Sequence, residues 1–193
     1  AGPSVLASQF MNYHFARNAG LNDGLIGLGH AFEIDPFIQD SISYELSMAL
    51  MVRQIFPHCP IKYMPPTVHK KGDIFFSHVL DSSFNLVSNL TGQTIHLVGM
   101  LTEAIHTPLI QDRYISISSA CYMRNAAKNL GQNLEITSDG LVQKRAASIL
   151  DETCNFLEHV DEKGLFAAIG EGAFAGVKRY RTGGRGGEGR HPR

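Results

Sequence analysis

Glu103 and His106 stand three residues apart in Thr102-Glu-Ala-Ile-His-Thr107, directly after the apolar run at residues 95–101. A carboxylate and an imidazole at that spacing share one face of a helix, where they can bind, move a proton or hold a metal. Two more short apolar runs end in groups of the same kind. Gly24-Leu-Ile-Gly-Leu-Gly-His30 delivers His30 and Glu33, and Ile61-Lys-Tyr-Met-Pro-Pro-Thr67 carries Lys62 and Tyr63. Lys62 inside an apolar run has two readings: its stem snorkels to the rim of a sheet, or its ammonium is kept for an anionic group. Glu103 and His106 likewise read either as pocket residues or as solvated residues of a first helical turn.

The elements that must position these groups follow from periodicity. Continuous apolar runs, as opposed to alternating ones, are expected of parallel strands covered on both faces, and such sheets present ligand-binding groups at the carboxyl ends of their strands. Between the runs lie helical patterns. Leu6, Phe10 and Tyr13 recur in the first, closed by Gly20; Ile42, Leu46, Ala49 and Phe56 mark one at residues 38–56; Phe76, Leu80, Phe84 and Val87 mark one at residues 74–90. A further helix is expected at residues 112–130. The alternation implies an α/β fold with right-handed crossovers. Residues 139–163 form a last amphipathic pattern, with Val142, Ala146, Ile149, Leu150, Leu157 and Val160 on one stripe. It has no strand partner and should pack outside the sheet.

With 193 residues and 44% hydrophobic content, the chain can bury a sizeable core. Its net charge of -1 hides an asymmetry: residues 178–193 carry six Lys or Arg against one acid. The basic character is confined to this Gly/Arg-rich tail, so no general attraction to nucleic acid is expected. Cys59, Cys121 and Cys154 are widely spaced, which suggests neither disulfides nor a zinc knuckle and points to a reducing, cytoplasmic setting. No apolar run is long enough to span a membrane. The opening Ala1-Gly-Pro-Ser4 is not an initiator sequence and leads straight into a helix, so an upstream part is expected.

Two glycine patterns resemble dinucleotide fingerprints and fail as such. Gly184-x-Gly186-x-x-Gly189 lies in the tail, and Gly170-x-Gly172-x-x-Ala175 likewise lacks the strand before and helix after that phosphate binding requires. A metal site at His30, Glu33, His96, Glu103 and His106 is not expected, because His96 faces away from the strand end and no His-Glu-x-x-His occurs.

Five blocks together carry a family resemblance: Gly27-Leu-Gly-His-Ala-Phe-Glu-Ile-Asp-Pro36, Ile61-Lys-Tyr-Met-Pro-Pro-Thr67, Ile95-His-Leu-Val-Gly-Met-Leu-Thr-Glu-Ala-Ile-His-Thr-Pro108, Asp139-Gly-Leu-Val-Gln-Lys-Arg145 and Gly176-Val-Lys-Arg179. In order and spacing the chain resembles the alpha subunit of lysine 5,6-aminomutase. The resemblance implies a partial TIM (β/α) barrel, about three parallel β/α units followed by C-terminal helices. The corresponding division is residues 1–137 for the partial barrel, 138–177 for a helical extension and 178–193 for a flexible tail.

The family isomerises lysine-type amino acids by radical 1,2-amino migration, with adenosylcobalamin as radical source and pyridoxal 5'-phosphate binding the migrating amine. By resemblance, Lys62 pairs the substrate carboxylate and Glu103 is a catalytic pocket glutamate, while His30, Glu33, Tyr63 and His106 are further pocket candidates. The family's phosphate-binding, ring-stacking and substrate-binding residues on earlier strands have no counterpart in this sequence. Its cobalamin motif, Asp-x-His-x-x-Gly, belongs to a small Rossmann-like subunit and does not occur here. The implied partners are that small subunit and the upstream half of the barrel, without which the chain is expected to be inactive. Two other classes remain: a non-catalytic module that docks a cobalamin subunit or half-barrel, and a metal-dependent enzyme using the His and Glu rim.

Overall fold

The three apolar runs form one parallel sheet in chain order, β1 (Leu28–His30), β2 (Ile61–Tyr63) and β3 (Ile95–His96). The structure, a computed structural model, describes residues 2–30 and 34–178. Helix α1 (Gly2–Asn18) precedes β1; α2 (Ser41–Ile55) and α3 (Ile74–Leu90) are the crossovers; α4 (Ile110–Ala126), α5 (Leu141–Lys163) and α6 (Leu165–Glu171) follow β3. The chain is thus an α/β partial barrel of three parallel units with added helices.

The strands are shorter than the apolar runs that announce them. Pro65 and Pro66 carry no N–H, so β2 cannot extend its ladder, and β3 loses its partner soon after the Leu97 amide donates to Tyr63 O at 2.8 Å. The expected strand over residues 95–101 is therefore regular only at its start.

Pleating sends alternate residues to opposite faces. Leu28 and Ile61 face the helices and join Leu6 of α1, Met48 and Val52 of α2, and Ile149 of α5 in one buried cluster. Tyr63 belongs to a second cluster with Ala49 of α2 and Leu80, Phe84 and Val87 of α3. Helix α2 thus serves two cores: of the residues expected on its apolar face, Ala49 and Phe56 are buried and Leu46 packs on the second cluster, but Ile42 is 44% exposed, while Glu45, Met48 and Val52 are buried as well. Phe10 and Tyr13 of α1 pack their rings on Phe56, 5.4 and 5.3 Å between centroids. Helix α1 then ends as expected at Gly20, whose φ of 87° is open to glycine without strain.

Helix α5 packs against α1 and α2 outside the sheet. The Ser47 hydroxyl fixes its start by donating to Val142 O at 2.6 Å. Leu150, placed on its apolar stripe by sequence, is 37% exposed, and Thr153 takes the buried position. Gly172, part of one fingerprint lookalike, is the left-handed C-cap of α6. Among the described residues no helix is long and apolar enough to cross a membrane. The Gly184 pattern and the tail beyond Lys178 lie outside the described residues.

Candidate functional site

The face of the sheet opposite the helices is open. Lys62 and Ile95 pair across it in register, and Gly29 is the β1 partner of Lys62. A Cβ on Gly29 would lie 3.7 Å from Lys62 Cε, so the lysine stem runs over a backbone that offers no side chain of its own. Lys62 is half-buried, and Ile95 beside it is 43% exposed. The carbonyl of Gly29 accepts from the amide of buried Gln9, which covers part of the free edge of β1.

Glu103 sits in the loop that leaves β3, and two contacts hold that loop. The Thr102 hydroxyl donates to Asp112 Oδ2 at 2.7 Å, and the same oxygen accepts from the Leu109 amide at the start of α4. Those two hydrogen bonds hold the Asp112 carboxyl below its ordinary range. The second contact is with Glu103 itself, whose Oε1 accepts from Lys70 Nζ at 2.6 Å.

Lys70 is a residue that sequence analysis missed. It lies between β2 and α3, is fully buried, and forms a further ion pair with Asp81 of α3. Its third contact is Met100 O at 3.4 Å, so all three ammonium protons have an acceptor within reach. Burial pushes the Asp81 carboxyl up; Lys70 opposes this and the charge of Glu103 adds to it. A Cβ at Gly99 would overlap Lys70 Nζ, Asp81 Oδ1 and the Pro65 ring. Glycine at position 99 is what lets the loop close over the pair.

Of the remaining candidates, Tyr63 is turned away from the open face. It is fully buried, stacks on Phe84 with 5.6 Å between centroids, and donates its hydroxyl to Glu45 Oε2 at 3.4 Å. Pleating accounts for the departure from the expected rim position, since neighbours in a strand point to opposite faces. His106 is exposed, with Nδ1 2.8 Å from Thr107 O. Only the backbone of His30 is described, in register with Tyr63, and Glu33 lies outside the described residues. His96 faces α3, its Nδ1 2.9 Å from Ser88 Oγ, and burial pulls its pKa down. Among the described residues no group of three metal-ligating side chains converges.

The chemistry of the open face is thus a lysine ammonium and, on the rim loop, a clamped carboxylate. Cavities lie elsewhere, among them a groove of about 330 Å³ between α1 and the chain beyond Leu165, lined by Met11, Phe15 and Ile169 among others, and one of about 470 Å³ holding His96, Cys121 and Arg124. Neither includes Lys62 or Glu103.

Comparison with known proteins agrees with this architecture. The family described as "D-Lysine 5,6-aminomutase TIM-barrel domain of alpha subunit" matches residues 1–193. The lysine 5,6-aminomutase alpha subunit of Acetoanaerobium sticklandii is 49% identical over 183 residues, which cover 95% of this chain and 35% of that protein. The subunit of the same name from Fusobacterium nucleatum subsp. nucleatum is 46% identical over the same shares. The chain spans about a third of the length of these curated relatives. It belongs to the family of the lysine 5,6-aminomutase alpha-subunit TIM-barrel domain.

Proposed function

We propose that this chain provides one wall of the substrate pocket of an adenosylcobalamin- and pyridoxal-phosphate-dependent aminomutase acting on a lysine-type amino acid. The observation that carries the reading is the placement of Lys62: a cation over Gly29 on the open face of the sheet, in a chain of this family. Lys62 pairs the substrate carboxylate and fixes the far end of the molecule. Glu103, clamped through Oε1, keeps its other oxygen for the reacting end. His106 stands exposed beyond it on the same loop. The cofactors, when bound, supply the radical and the activation of the migrating amine; the protein binds, orients and shields. The pair of charges on this face fits the amino-acid substrate, while the cofactor phosphate is assigned by resemblance to earlier strands.

The partners proposed are the upstream half of the barrel and a small cobalamin-binding subunit. One observation also favours a second reading, a docking module without catalysis: Ile110 and Tyr114 of α4 are 76% and 74% exposed. Reconstitution separates the two. The ultraviolet-visible spectrum of the chain with both cofactors, the upstream half and the small subunit should change on assembly, and lysine should turn over. Assembly with no spectral change and no turnover would leave the docking reading in its place.

A further inference from the structure

We propose that Lys70, itself held by Asp81, is the positioning residue for Glu103. The inference rests on the reading of Glu103 as a pocket carboxylate and adds what keeps it there. A buried structural ion pair needs one cation and one anion, which Lys70 and Asp81 already supply. The structure brings a second carboxylate to the same ammonium, and it is the one that reaches outward: the Glu103 side chain is 22% exposed, against 0% for Lys70 and 3% for Asp81. Excess negative charge in a buried cluster is unfavourable, so a use explains the second carboxylate better than stability does.

The geometry states the use. Lys70 holds Glu103 Oε1 at 2.6 Å and anchors the same loop through Met100 O at 3.4 Å. Among the described residues Glu103 Oε2 makes no hydrogen bond, so one oxygen is fixed and the other is presented. Asp81 pairs with the same ammonium from α3 and so holds Lys70 in place. Gly99 packs against both members of the pair, and a side chain there would overlap Lys70 Nζ and Asp81 Oδ1. Being fully buried, Lys70 acts through Glu103 and does not touch substrate.

The test uses the complete enzyme, with the alpha subunit carrying this sequence, the small subunit and both cofactors. The principal variant is Lys70→Met/Asp81→Leu, which replaces the buried pair by apolar groups and leaves only the outward-reaching Glu103 without its counter-ion; Glu103→Gln is the reference. Three quantities are read: the melting temperature, kcat and KM for lysine, and the position of the Glu103 side chain in a crystal structure of the variant. In the double variant the Glu103 carboxylate should leave its parental position, and kcat should fall about 10- to 100-fold, as in Glu103→Gln, with melting close to the parent. A purely structural role predicts lowered melting and an unchanged kcat per folded enzyme, and that result overturns the proposal. So does a Glu103 side chain that stays in place. Full turnover in Glu103→Gln would instead remove Glu103 from the reaction, and an inactive parent would count against the proposed function. In either case the crystallographic position still decides whether Lys70 positions Glu103.

Discussion

Glu45 is the carboxyl group most at odds with its surroundings. It lies on the buried face of α2, 2% exposed, under Tyr63. Burial pushes its pKa up from 4.5 to about 7, although the Ile34 amide and the Tyr63 hydroxyl pull the other way. The native state therefore binds a proton that the unfolded chain has released. This contribution to stability is fully present below pH 4.5 and is lost as pH rises to about 7, an effect of about 3 kcal/mol. Glu45→Gln should flatten the fall in urea midpoint across that window; an unchanged slope would show that another group carries it. Gly99→Ala should cost about 1 to 3 kcal/mol by overpacking, seen as a lower denaturant midpoint. At this scale the sequence was only partly legible. Lys62 stood out because it interrupts an apolar run. Lys70 sits in His69-Lys-Lys-Gly72 and reads as a solvated charge run, because its burial depends on partners in other elements. One signal was available: Ser77, Asp81, Asn85 and Ser88 recur at helical spacing on α3, and all four are buried.

The elements differ in how locally they are encoded. Helix α3 spans the residues expected of it because its stripe and its start are both local: Asp73 Oδ1 accepts from the amides of Phe75 and Phe76 at 2.9 and 3.0 Å. Asp73→Ala should therefore destabilise the fold by about 1 kcal/mol, measurable by thermal denaturation, and Asp73→Ser should recover most of the loss. Strand β3 is encoded less locally, since the prolines after β2 decide where its pairing stops. Helix α2 shows the same dependence. Its periodicity announces a helix, but the two clusters on its flanks decide that Glu45 goes inside and Ile42 outside. Periodicity reports that a helix has an apolar face; the neighbours set its rotation.

As a whole, the molecule has one finished side and one open side. Helices cover one face of the sheet, whereas Ile95 and Leu97, 43% and 41% exposed, sit with Lys62 at the other. The parallel order of the units was legible from three apolar runs separated by helical patterns. What covers the open face was not, because the chain spans about a third of its relatives and a closed barrel of this type takes eight strands. On the proposed reading, this face binds the substrate through Lys62. The measurement that tests it most directly is the substrate dependence of Lys62→Ala in the complete enzyme. Loss of one partner of an enclosed charge pair costs about 3 kcal/mol or more, which corresponds to a rise in KM of roughly 100-fold, while the cofactor spectra stay those of the parent. A KM equal to the parent's would contradict the account and remove Lys62 from the pocket.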